Sequence, residues 1–132
     1  MSEGKRQAAF MVAGGQTINE YNIPQFERYL SHIEEEVREL RRDYDAGDMV
    51  KVVDALMDIK VVCNGATLSL GVDPDAGMVI VDTANMSKIG PDGKVSRRPD
   101  GQIAKGEFFQ SPEPRLRELM DRAGVPHVME KV

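Results

Sequence analysis

The chain has no tryptophan, one cysteine, three tyrosines and four phenylalanines among 132 residues. So few aromatics, set against many Leu, Val, Met and Ala, weigh against a β-sandwich and toward helices. A single cysteine, Cys63, cannot form an internal disulfide, so nothing in the chain asks for an oxidising compartment. No apolar run approaches the roughly 20 residues that span a bilayer. The opening MSEGKRQAAF lacks the long apolar segment of a secretory signal. The expectation is a cytoplasmic protein with no membrane partner. At this length there is room for one core, so residues 1–132 are read as a single domain.

What is present is charge, and it is unevenly spread. The net charge is −5, yet residues 88 to 105 carry Lys88, Lys94, Arg97, Arg98 and Lys105 against only Asp92 and Asp100. An acidic body with one basic segment lacks the continuous basic face that duplex binding needs, so no nucleic-acid partner is expected. It suits a small polyanion, held through a metal on one side and by Lys and Arg on the other, or is simply a solvated basic loop.

Apolar spacing predicts mostly helix. A short helix is expected over Gln7 to Ala13, ending at Gly14-Gly15. Asn22, with Pro24 behind it, starts a second that runs to about Ala46, where Gly47 stops it. Its positions Phe26, Tyr29, Leu30, Ile33, Val37, Leu40 and Tyr44 keep three-and-four spacing throughout. A third runs from about Asp48 to Leu70, closed by Gly71 and the turn Val72-Asp73-Pro74-Asp75. It is apolar almost all round and is expected to be the central buried element, with Cys63 in the core. A fourth covers Ala76 to Lys88. Two Pro-Asp-Gly turns then mark a structured loop or small hairpin. Ser111-Pro112-Glu113-Pro114 opens a last helix, Arg115 to Ala123, capped by Gly124, and the tail VPHVMEKV is expected to fray.

The second helix crowds carboxylates beside its apolar stripe in HIEEEVREL (32–40). At about 100° per residue, Glu36 and Glu39 fall on the border of the buried face, with His32 and Asp43 on the same edge. Glu34, Glu35 and Arg38 point to solvent. On the third helix Asp54 and Asp58 share one face, with Lys51 nearby. An ionised carboxylate in an apolar setting is costly unless something positive joins it. Pairing with Lys51 or an arginine of the second helix is the bland solution. For four carboxylates on facing stripes, a shared divalent cation explains more, and all-oxygen ligands select Mg²⁺ (or Mn²⁺) over zinc.

Glu36-x-x-Glu39, followed after a turn by an acidic pair on the next helix, resembles the all-α nucleoside triphosphate pyrophosphohydrolases. These include MazG proteins, dimeric dUTPases, dCTP pyrophosphatases and phosphoribosyl-ATP pyrophosphohydrolase. The blocks FMVAGGQ (10–16), EEVREL (35–40), DALMDIKVVCNGATLSLGVD (54–73), NMSKIGPDGKV (85–95) and PDGQIAKGEFFQSPEP (99–114) are similar to the small phosphoribosyl-ATP-pyrophosphohydrolase-like branch of phages and bacteria. The resemblance implies an all-α, MazG-like bundle of four to five helices with a short irregular basic loop near the C-terminus. It implies a Mg²⁺-dependent enzyme that releases pyrophosphate from a (d)NTP-type nucleotide. Glu36, Glu39 and Asp58 would hold the metal, and one of the glutamates would deprotonate the attacking water. Asn85 and Lys88 match the family's Asn-x-x-Lys, which implies contacts to phosphate or sugar. Lys105, with Arg97 or Arg98, would meet the departing pyrophosphate. Asp82, on the face of Asn85, would join the metal shell or the substrate, or serve as a helix N-terminal or surface residue, and Gln16 would touch the base or cap the Gly-Gly turn.

The chain departs from the family in two places. Ala55 stands where the family has glutamate, and Asp54 is assigned the missing ligand role. Val61 and Asn64 replace tyrosines common in this branch. His32 and His127 are read as solvent-facing, and Asp73 to Gly77 as a turn. The third helix needs more cover than one chain supplies, so a homodimer or homotetramer is expected. Phosphoribosyl-ATP is the alternative substrate. A metal- or nucleotide-binding module without turnover, or an interaction protein with an acidic ridge, is the alternative class.

Overall fold

Asn22 begins the longest helix: its side chain accepts from Gln25 N, and Pro24 sits in the first turn, where its missing N–H costs nothing. The computed structural model describes residues 1–129, and five helices account for most of them. They are α1 (Glu3–Ala13), α2 (Ile23–Asp45), α3 (Met49–Ser69), α4 (Pro74–Met86) and α5 (Glu113–Ala123). The fold is all-α; among the described residues there is no strand, only isolated bridges between Ile89 and Val95 and between Arg97 and Ile103. Those bridges give the basic segment the small hairpin character that its turns predict.

α2 and α3 form an antiparallel hairpin through Ala46-Gly47-Asp48. Gly47 has φ 75°, a left-handed conformation that glycine adopts without strain. The hairpin register is set at its open end. Gln25 Nε2 donates to Ser69 Oγ (2.8 Å) and to Thr17 O (2.8 Å), while its Oε1 accepts from Thr17 N (3.1 Å). Both Gln25 and Ser69 are buried, so this satisfied network is what makes their burial affordable. It also locks the α1–α2 connection onto the hairpin. One turn on, Gly65 makes room for the Tyr29 ring.

α1 lies along α3, and α4 packs against α5. α1 starts at Glu3, a turn earlier than predicted, because Ser2 caps it and accepts from Lys5 N. Asp75, from the first turn of α4, accepts from Gly4 N (3.1 Å) and from Ser2 Oγ (2.5 Å), so one helix caps another. Asp75→Ala is expected to cost about 1 kcal/mol, as loss of a cap does. Urea denaturation reads this, and an unchanged midpoint would mean α1 is held otherwise.

The core is small: Met11, Val52, Ala55, Ala66, Leu68, Ala84, Leu119 and Val125. α3 is not the buried central element predicted. Val50, Val53, Leu56, Met57 and Val61 are exposed, and so is Cys63, which was expected in the core. The reason is that one α-helical hairpin with α1 alongside covers only part of a helix that is apolar all round. The tail also differs from expectation. Val125 is buried, Val125 N donates to Met120 O (2.9 Å), and His127 pairs with Asp121 (2.7 Å). Residues 130 to 132 of the segment expected to fray lie outside the described residues. No single helix among the described residues is long and apolar enough to cross a membrane.

Candidate metal and nucleotide site

The hairpin register brings Glu36 and Glu39 of α2 to the level of Asp58 on α3. All three are half-buried, while Glu34, Glu35 and Arg38 face solvent as the wheel predicts. Glu36 Oε2 is fully enclosed and has no hydrogen-bond partner. Burial raises the Glu36 pKa above its ordinary 4.5; the negative charges of Glu39 and Asp58 push it further, as does a side-chain hydrogen bond with the Glu39 carboxyl, with Glu35 contributing least. A buried acceptor without a donor, beside two like charges, is the situation native proteins usually avoid.

No side-chain cation relieves it. The ion pairs among the described residues join Arg41 to Asp45, Arg42 to Asp43, Lys60 to Glu3, Arg98 to Asp100 and His127 to Asp121. Neither Lys51 nor an arginine of α2 pairs with Asp54 or Asp58. Asp43, on the same edge as Glu36, is buried but already engaged by Arg42 at 3.4 Å. Asp54 is exposed and is not among the groups that raise the Glu36 pKa. Ala55, where the resemblance would place a glutamate, is buried instead. Glu36, Glu39 and Asp58 are the oxygen donors that a hard cation would take, and the orphaned Glu36 oxygen is the group it would satisfy. Among the described residues, however, no three acidic, histidine or cysteine side chains already converge at ligating distance.

Beside the carboxylates opens a pocket of about 300 Å³, lined by Phe10, Gln16, Tyr29, His32, Val61 and Val62 among others. His32 is one turn before Glu36 and Val61 and Val62 one turn after Asp58, so the pocket and the acidic cluster adjoin. Tyr29 Oη donates to Gln16 Oε1 (2.6 Å), which leaves the Gln16 amide N–H groups available to another acceptor. The Tyr29 and His32 rings lie 6.3 Å apart at 43°. Gln16 was expected at the site; Phe10 and Tyr29 were not, and His32 was read only as a solvent-facing residue on the carboxylate edge. Tyr29 occupies the stripe of Glu36 two turns earlier, a signal that reads as core packing until Gly65 is seen beneath it.

The basic residues gather elsewhere. Lys88 Nζ and Lys105 Nζ stand over the Phe109 ring at 5.9 and 5.3 Å, so the structure does bring these two cations together. Phe109 was not anticipated. Arg97 Nη1 donates to Gly101 O (2.9 Å) and Arg98 pairs with Asp100 (3.0 Å), so both arginines brace the second Pro-Asp-Gly turn. Asp82 and Asn85 are exposed on α4, and α4 does not touch α2. The α4 axis turns 111° from that of α3. The structure thus gathers Lys88 and Lys105 on Phe109, while Asp82 and Asn85 stand exposed on α4. The chain matches no protein-family model and no curated protein, so the reading of this site rests on its residues and on the motif blocks.

Proposed function

We propose that this chain is a Mg²⁺-dependent nucleotide pyrophosphohydrolase that cleaves a (d)NTP-type substrate to the nucleoside monophosphate and pyrophosphate. The observation that carries the proposal is Glu36 Oε2, enclosed and unpartnered between Glu39 and Asp58, with no lysine or arginine paired to the cluster. Glu36, Glu39 and Asp58 would hold Mg²⁺ (or Mn²⁺), which when bound supplies charge neutralisation and polarisation of a phosphoryl oxygen. Phe10, Tyr29 and His32 offer planar faces to a base, and the free amide of Gln16 offers it a donor. A glutamate takes the proton of the attacking water as its oxygen bonds to phosphorus and the pyrophosphate oxygen leaves. Either Glu36 or Glu39, both on α2 beside Asp58, would take this role.

A second reading has its own support. With Ala55 buried in place of a glutamate and Asp54 exposed, three carboxylates remain where the family has four. That arrangement also suits a metal- or nucleotide-binding module without turnover.

Pyrophosphate release from a panel of NTPs and dNTPs, with and without Mg²⁺, separates the two. Release that requires Mg²⁺ and disappears in Glu39→Gln and Asp58→Asn is the expected result. If no nucleotide of the panel is cleaved and phosphoribosyl-ATP is also left intact, catalysis is excluded. Mg²⁺ that still raises the melting temperature would then identify the binding module, and Mg²⁺ without effect would remove the metal site altogether.

A further inference from the structure

Three glutamines line the pocket beside the carboxylates, and they differ in how much of each amide is left open. Gln25 is fully engaged: its Nε2 donates to Thr17 O and Ser69 Oγ, and its Oε1 accepts from Thr17 N. Gln16 is half engaged, since its Oε1 accepts from Tyr29 Oη at 2.6 Å and its N–H groups stay open. The Gln7 amide has no partner among the described residues, although Gln7 is only 7% exposed. It lies on the face of α1 that buries Gly4 one turn before it and Met11 one turn after. An apolar side chain would pack there with no polar group to satisfy. Among the described residues the one enclosed side-chain atom without a partner is Glu36 Oε2, so the Gln7 amide must reach open space. That space is the pocket it lines.

The open groups form an unequal set. Gln7 presents a carbonyl oxygen beside an NH₂ group, an acceptor next to a donor in one plane. Gln16 presents donors only, because its oxygen is held by Tyr29. Arg28, on the exposed rim, adds donors and no acceptor. His32 can take either role and so selects nothing by itself. The pocket's volume of about 300 Å³ is at the low end of the roughly 300–1,000 Å³ of small-ligand sites, which suits a base more than a whole nucleotide.

We propose that Gln7 and Gln16 together select the base, and that they favour a lactam edge over an amino edge: guanine over adenine among purines, uracil over cytosine among pyrimidines. A lactam edge sets a carbonyl oxygen beside a ring N–H. The Gln7 amide pairs with such an edge through two bonds, in the bidentate manner of planar amides on bases. The second lone pair of the same carbonyl takes an N–H of Gln16. An amino edge sets an NH₂ group where the carbonyl would be. Gln7 can turn its amide over to meet it, but Gln16, held by Tyr29, meets it donor to donor, and an N–H is left unpaired. The inference rests on the nucleotide reading of this site; what it adds is which bases enter, and the part played by Gln7.

Comparison of dGTP with dATP, and of dUTP with dCTP, on the full chain with Mg²⁺ tests this at matched base size. In each pair kcat/KM for pyrophosphate release should favour the lactam base by about 10-fold or more, the discrimination that a bidentate base contact carries. Gln7→Met keeps the side-chain length and removes its hydrogen-bonding groups. Most of both ratios should vanish in it without a lower apo melting temperature, because the amide makes no bond to the fold. Gln16→Glu still accepts from Tyr29 but offers an acceptor in place of donors, so the amino bases should gain. If one variant fails to fold, the wild-type ratios and the other variant decide. If no dNTP is cleaved, the same ratios are read as Kd values for the intact dNTPs, which separates failure of catalysis from failure of the selection. Equal values within the pairs, a preference for the amino base, or ratios that Gln7→Met leaves intact overturn the proposal. A chain that neither cleaves nor binds any of the four overturns both it and the nucleotide reading.

Discussion

Replacing Glu36 by glutamine is expected to move stability and activity in opposite directions. The Glu36 carboxyl has a raised pKa in the folded chain, so the native state holds its proton more tightly than the unfolded state does. Between the ordinary value of 4.5 and the folded value, the native state therefore binds more protons. Stability then falls as pH rises through that window, and above it the full cost of the buried charge remains. Glutamine carries no charge to desolvate, so the Glu36→Gln apo protein should melt higher than wild type at pH 8 and no higher at pH 4. Added Mg²⁺ should reverse the order at pH 8. A ligand at 100 times its Kd stabilises by about 2.7 kcal/mol, and the variant should gain little of this. Pyrophosphate release should fall by about 10²- to 10⁴-fold, the usual loss when a positioned general base is removed. Paired melts at the two pH values, with and without Mg²⁺, check all of it. A variant that melts lower than wild type in the apo form at pH 8 would sink the argument that Glu36 is an uncompensated buried acid.

Gly65→Ala should be the most damaging single-methyl change in the hairpin. An alanine Cβ there would fall well inside contact distance of Tyr29 Cε1 and 2.7 Å from Cδ1 and Cζ. The ring cannot simply step aside, because Tyr29 Oη is bonded to Gln16 at 2.6 Å and α2 is held by the Gln25–Ser69 contact. Overpacking of this kind costs about 1–3 kcal/mol, which lowers Tm by on the order of 5–10 °C in a domain of this size. Tyr29 also lines the pocket beside the carboxylates, so displacing it should raise KM for the nucleotide more than it lowers kcat. Thermal melts and steady-state kinetics on the one variant test both halves. Wild-type melting would mean the helices separate easily here, which would also remove the case for a rigid pocket.

The helices were legible because local rules and tertiary packing agree along them. Asn22 with Pro24, Gly47 and Gly71 mark helix ends by capping and turn chemistry that a few residues decide. Glu36 and Glu39 were legible for a similar reason: a helical wheel places them at the edge of an apolar stripe without knowing what the stripe meets. The first turn of α4 was missed at Pro74 because Asp73 caps it one turn upstream of the predicted start. The start of α1 was missed because part of its cap, Asp75, arrives from 71 residues away at Gly4 N.

What the residues alone determined about this protein is its helical class, the edges of its helices and an acidic pair that burial would make costly. Those features follow from neighbours in sequence, through capping, periodicity and charge. Only the tertiary structure decided that Asp58 shares the Glu36 neighbourhood while Asp54 stays in solvent, since that depends on hairpin register and on the buried Ala55. It alone set Lys88 and Lys105 around Phe109, since Lys105 arrives from the irregular segment beyond α4. It also left α3 half bare: an apolar helix is buried only as far as there are other elements to cover it, and a single α2–α3 hairpin with α1 alongside covers one side.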